Sequence, residues 1–167
     1  KYYDALCNVQ ITGNQAVDLI NVALSQVGYH EGNNTSQLDG TNMSGTGDYT
    51  EAGYWFGINV KNLTYGWYSE WCAMFVSWCA RQAGISTDVI SNAANAKASD
   101  SIYCFKNLTY TDRSSASPKI GDLIFFDYAS SAEPWDHVGI VYKVDSSYVY
   151  TVEGNSGKAV QKNIYSL

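Results

Sequence analysis

Residues 137–155 read HVGIVYKVDSSYVYTVEGN, and this stretch decides the fold. Alternation sets Val138, Ile140, Tyr142 and Val144 on one face and His137, Gly139 and Val141 on the other, the period-two pattern of a strand over His137–Val144. Asp145-Ser146-Ser147 is a turn. The chain returns as a second strand over Tyr148–Asn155, whose faces divide Val149, Thr151, Glu153 and Asn155 from Tyr148, Tyr150 and Val152. Working outward, Ser156-Gly157 turns the chain into a strand over Val160–Tyr165, and the apolar run Asp122–Asp127, after Pro118, supplies another.

Before Pro118 the period is helical. Val17, Ile20, Leu24 and Val27 recur at helical spacing, with Asn14 or Thr12 as N-cap and Gly28 as stop. A second helix is expected over Glu70–Ala83, capped by Ser69 and stopped by Gly84, with Cys72, Phe75, Val76, Cys79 and Ala83 on one face. A third, Ala-rich, is expected from Asp88 to about Ser99, and the Gly/Asn/Ser/Thr-rich run from Gly32 to Gly47 reads as a long surface loop. Helices first and a hairpin-linked antiparallel sheet afterwards make an α+β fold.

The length of 167 residues fits one domain, residues 1–167. With 10 Lys plus Arg against 16 Asp plus Glu, the net charge is −6, which argues against a nucleic-acid partner. Apolar stretches are too short to span a bilayer. The chain opens at Lys1 without an initiator Met or a basic-plus-apolar leader, which suggests a processed chain or a piece of something longer. Aromatics are abundant, with 14 Tyr and 5 Trp, whose apolar bodies and polar tips suit an exported domain that handles sugar or peptide.

Four cysteines and two histidines hold the chemistry. Cys72 falls in the first turn of the second expected helix, where unpaired N–H groups and the helix dipole favour a thiolate. A nucleophilic thiol needs a base, and His137, opening a strand, is better placed for it than His30, which reads as a surface residue at a helix end. The imidazole in turn needs an orienting group. Glu153 and Asn155 share a face of the neighbouring strand, whereas Asp136 should leave its strand on the face opposite His137. Cys79 reads as a buried small hydrophobe.

The local strings resemble those of CHAP domains, the cysteine, histidine-dependent amidohydrolases/peptidases. Trp71-Cys72-Ala73-Met74-Phe75-Val76-Ser77-Trp78 is similar to their nucleophile motif. Gly121-Asp122-Leu123-Ile124-Phe125-Phe126 is similar to their first sheet strand, His137-Val138-Gly139-Ile140-Val141 to their histidine strand, and Glu153-Gly154-Asn155 to the strand that completes the site. The related NlpC/P60 proteins usually carry a histidine where this chain has Glu153. The resemblance implies a papain-like α+β fold and hydrolysis of peptidoglycan amides. Cys72 would be the nucleophile, His137 the general base and then acid, Glu153 the group orienting it, and Asn155 a further polar support.

It also implies a bacterial or phage-encoded enzyme acting outside the cell or in the wall. The bond would be one in the stem peptide or cross-bridge, or else the N-acetylmuramoyl-L-alanine amide. Peptidoglycan is the expected partner, reached through an aromatic groove with Tyr54, Trp55, Tyr68, Trp71 and Trp135 as candidate walls, or through a separate wall-binding domain. No cofactor is expected, and no metal, since Asp39, Asp48 and Glu51 lack the dense Asp-x-Asp-Gly spacing of a calcium loop. A wall-binding module without turnover is the rival from another class. With Cys72 assigned to catalysis, a Cys7–Cys104 bridge is the preferred pairing in an oxidising compartment.

Overall fold

The computed structural model describes residues 1–96, 105–128 and 136–167. Helices α1 (Tyr2–Cys7), α2 (Gln15–Ser25), α3 (Glu51–Asn59) and α4 (Cys72–Gln82) precede a short 3-10 turn at Arg113–Ser115. Strands β1 (Leu123–Phe126), β2 (His137–Val144), β3 (Tyr148–Ser156) and β4 (Ala159–Ser166) then form an antiparallel sheet in the order β1-β2-β3-β4. This is the α+β arrangement expected from the period-two stretch. No helix among the described residues is long and apolar enough to cross a membrane.

The sheet follows its alternation closely. β1 pairs with β2 from Leu123 opposite Ile140 to Phe126 opposite His137, and β3 pairs with β4 with Thr151 opposite Asn163 and Glu153 opposite Gln161. The register slips between Glu153 and Ser156, where Asn155 takes a left-handed φ of 56°. On the helical side, Asn14 caps α2 by accepting from the Ala16 and Val17 amides.

Helix α4 is the central element of the core. Met74, Phe75, Val76 and Cys79 are buried with Val138, Ile140 and Val152 of the sheet. A Cβ at Gly154 would lie 2.5 Å from the Phe75 Cβ, so glycine there lets strand and helix meet. Helix α3 uses the same device: Cβ atoms at Gly53 and Gly57 would strike the Trp67 and Tyr65 carbonyls.

Three expectations are corrected. The second helix starts later than Glu70, because its N-cap is Trp71 and not Ser69, which makes Cys72 the first helical residue. The Ala-rich segment from Asp88 to Ala96 is not a helix. Its backbone is bound instead to side chains of α4: Ser77 Oγ accepts from the Ala93 N–H at 2.8 Å and shares its proton between the Ala73 carbonyl at 2.9 Å and the Ala93 carbonyl at 3.2 Å, and Arg81 donates to the Ile90 carbonyl. Its alanines are small because Ala93, Ala94 and Ala96 are buried. Residues 97–99 of that expected helix lie outside the described residues.

The third correction is His30, which is buried and not a surface residue. The segment Gly28–Glu31 pairs with the start of β4, through Gly28 N–H to the Val160 carbonyl at 2.9 Å, Val160 N–H to Tyr29 at 2.8 Å and Glu31 N–H to Lys158 at 3.0 Å. That pairing draws His30 inward. Cys7 is a free, exposed thiol, and Cys104, its expected partner, lies outside the described residues.

Candidate active site

Cys72 is nearly buried at the mouth of α4. The first intrahelical bond of that helix is Phe75 N–H to the Trp71 carbonyl at 2.8 Å, so the amides of Cys72, Ala73 and Met74 are not consumed by the helix. Such amides are donors for an anion forming beside the sulfur. His137, at the first position of β2, hydrogen-bonds to Glu153, and the nearby Cys72 thiol also acts on its imidazole. The Glu153 contact is Nε2 to Oε2 at 2.8 Å, which leaves Nδ1 for the thiol.

The carboxylate of Glu153 is 1% exposed and is held at both oxygens. Thr151 Oγ1 donates to Oε1, and Asn163 Nδ2 donates to Oε2 at 2.8 Å while also donating to Ser156 Oγ at 3.0 Å. Thr151 and Asn163 are cross-strand partners, so one rung of the sheet supplies both donors. Gly139 leaves the space for this arrangement, since a Cβ there would lie 2.7 Å from the Glu153 Cγ.

The electrostatics follow from the same contacts. Burial acts to lower the His137 imidazole, but hydrogen bonds and charge from Cys72 and Glu153 outweigh it and carry the group up to about 9. Burial likewise acts to raise Glu153, and the bonds from His137, Thr151 and Asn163 overcome it, holding the carboxyl below its ordinary value. Cys79, fully buried on α4 with nothing to offset burial, is pushed well up, as an inert thiol should be.

Beside His137 lies a pocket of about 360 Å³ lined by Tyr128, His137, Glu153, Asn155, Asn163 and Tyr165 among others. Asn155 reaches this pocket through the bulge rather than by regular alternation, and among the described residues no hydrogen bond links it to His137. Phe126, Tyr128 and Tyr165 stand against one another, with the Phe126 ring 5.8 Å and the Tyr128 ring 6.2 Å from the imidazole. Asp136 is occupied elsewhere, accepting from the Tyr128 N–H at 2.9 Å.

A family model of the CHAP domain matches residues 64–155, more than half of the chain. The chain belongs to the CHAP domain family. No curated protein and no solved structure matches it. CHAP domains are cysteine/histidine-dependent amidohydrolases and peptidases that act on the bacterial cell wall, so this one belongs to a hydrolytic class. The matched span takes in Cys72, His137, Glu153 and Asn155 and stops short of Asn163 and Tyr165.

The expected aromatic groove is only partly assembled. Trp71 is not a groove wall: it is 1% exposed, edge-on to Tyr29 and Phe75, and its indole N–H donates to Glu31. An N-cap residue whose ring is drawn into the core cannot face a ligand. Trp55 is half-buried against the core beside Phe56, Tyr68 is half-buried with its ring 4.2 Å from Tyr49, and Tyr54 is exposed. Trp135 lies outside the described residues.

Four contributors near His137 were not singled out from sequence: Asn163, Thr151, Tyr128 and Tyr165. Thr151 shares its parity with Glu153, a signal that was available. Asn163 becomes visible only once the β3–β4 register is known. Among the described residues, no group of His, Cys, Asp and Glu is arranged to hold a metal ion.

Proposed function

We propose that this CHAP domain cleaves peptidoglycan as a cysteine endopeptidase of the stem peptide or cross-bridge, with Cys72 as nucleophile. The observation that supports this most is the position of His137, which is bonded to a buried, fully hydrogen-bonded Glu153 and whose imidazole is raised by the neighbouring Cys72 thiol. A thiol beside an imidazole whose other nitrogen is fixed on a carboxylate is the arrangement that nucleophilic catalysis requires.

In this reading the Cys72 sulfur attacks the scissile carbonyl while His137 holds the thiol proton on Nδ1. The tetrahedral oxyanion is met by the free amides at the start of α4. His137 then gives its proton to the leaving amine, the C–N bond breaks and an acyl-enzyme remains. Water, losing a proton to His137, attacks the thioester, and the new carboxyl end and Cys72 are released. Glu153 stays ionised throughout and steadies the imidazolium. Asn155 supports the pocket wall beside the ring. Tyr54, Trp55 and Tyr68 remain the candidate contacts for the polymer, and the action takes place outside the cytoplasm, in the wall.

The test is digestion of purified peptidoglycan with mass spectrometry of the released fragments. The parent should release peptides with new amino and carboxyl ends, and Cys72→Ala should lose activity by at least about 10³-fold. Digestion by Cys72→Ala at the parent rate would remove Cys72 from the mechanism. Intact stems freed from the glycan at L-alanine would replace the endopeptidase assignment with the N-acetylmuramoyl-L-alanine amidase one.

A further inference from the structure

Glu31 is a fully buried carboxylate that the proposed chemistry does not use and that lies outside the family match. A buried acid with no catalytic part needs a reason, because burial without partners would be strongly unfavourable. Its partners come from three separate parts of the chain. Oε2 accepts from the Trp71 indole N–H at 2.9 Å, and Oε1 accepts from the Asp48 N–H at 3.2 Å and faces Lys158 Nζ at 3.4 Å.

Each partner has its own significance. Trp71 is the N-cap of α4 and precedes Cys72, yet its side chain makes no capping bond to the helix. Lys158, with a left-handed φ of 67°, sits in the β3–β4 turn next to Ser156 and Gly157, which line the pocket beside His137. Asp48, at a φ of 59°, belongs to the loop leading into α3. Burial, together with the Glu31 carboxylate, raises the Asp48 carboxyl.

We propose that Glu31 is a positioning residue of the active site. It locks Trp71, and with it the first turn of α4 that carries Cys72, against the β3–β4 turn that borders His137 and Glu153. The inference rests on the assignment of Cys72 as nucleophile. Misplacing a nucleophile by about 1 Å costs up to about a hundredfold in rate, so a pin of this kind matters to chemistry as well as to folding.

The experiment compares Glu31→Ala, Glu31→Gln and Trp71→Phe with the parent. Melting temperature, peptidoglycan turnover and half-saturation are measured, together with site-resolved alkylation by iodoacetamide at about pH 5, where only a thiolate held by an imidazolium reacts fast. Exposed Cys7 serves as the internal reference. Glu31→Ala should slow both Cys72 alkylation relative to Cys7 and turnover, each by about tenfold or more, with half-saturation little changed. Glu31→Gln keeps an oxygen acceptor for Trp71 and should recover most of both.

A folded Glu31→Ala whose Cys72 alkylation and turnover stay within about twofold of the parent would overturn the proposal. If Glu31→Ala does not fold, Trp71→Phe decides, since it removes the indole donor while keeping an aromatic ring. A lower melting temperature without slower acid-pH alkylation or turnover would then mean that the contact is structural alone, and the proposal would fall. Digestion by Cys72→Ala at the parent rate would instead remove the nucleophile assignment, an outcome distinct from either.

Discussion

The two halves of the proposed active site are placed by different physics. On the sheet, His137 and Glu153 occupy positions set by strand pairing, and Thr151 and Asn163 face each other across one rung to hold the carboxylate. On the helical side, Cys72 sits where α4 begins, next to Trp71, whose ring is fastened to Glu31 forty residues earlier. A strand specifies its reactive groups through a local period, whereas a helix start takes its position from distant contacts. The sheet half should therefore answer to changes in charge and hydrogen bonding, and the helical half to changes in anchoring.

The largest effect that would sharpen this contrast is expected at Glu153. Glu153→Gln keeps the shape but removes the charge that steadies the imidazolium, so turnover should fall by about 10²- to 10⁴-fold in a folded protein. The His137 ring, followed by NMR, should titrate well below its parent value of about 9. An unchanged titration would show that Cys72 alone raises the imidazole, and the sheet half would lose its electrostatic role.

A smaller effect, and one of a different kind, is expected at Ser77. Its hydroxyl accepts from the buried Ala93 N–H, which Ser77→Ala would leave unpaired, so the change should cost about 1–3 kcal/mol of stability in a denaturant titration. The pH profile of turnover should stay as in the parent. A shifted profile would mean that α4 anchoring reaches the imidazole, breaking the division between the halves.

The remaining effect, spread over several pH units, is a pH dependence of stability. His137 is raised from 6.5 to about 9, so its contribution is complete below about pH 6.5 and disappears as pH climbs through about 9. Glu153 is lowered from 4.5, so its contribution is complete above that pH and disappears as pH falls through the depressed value. Melting temperatures should therefore be highest between about pH 4.5 and 6.5 and decline toward pH 9. In Glu153→Gln that alkaline decline should shrink, and a decline of parental size would place its origin away from this pair.

The same contrast explains what could be read from the sequence. Strand β2 spans the residues that its alternation marks, His137–Val144, and Asn14 caps α2 as its position before an apolar stripe suggests. Helix α3 carried no such mark. Its buried positions include Gly53 and Gly57, chosen for close approach to the 65–67 backbone, and they add nothing to an apolar stripe. The N-cap of α4 is Trp71 rather than Ser69, and the ring of Trp71 is held by Glu31, a contact that no local window contains. Alanines at 93, 94 and 96 resemble helix formers, but their size serves packing against α4, and Ser77 takes the backbone bonds that a helix would need.

The shared oxygen of Glu153 has a stereochemical consequence. His137 and Asn163 both bind Oε2, so the imidazole is clamped through its Nε2–H and its open edge is Nδ1. A ring held in this way works like a gate hung on one post. The departing nitrogen of the substrate must come to the open edge, because the ring cannot turn to meet it. In the proposed mechanism the scissile bond then lies on the thiol side of the imidazole, and the pocket on the Glu153 side receives a part of the polymer that stays uncut.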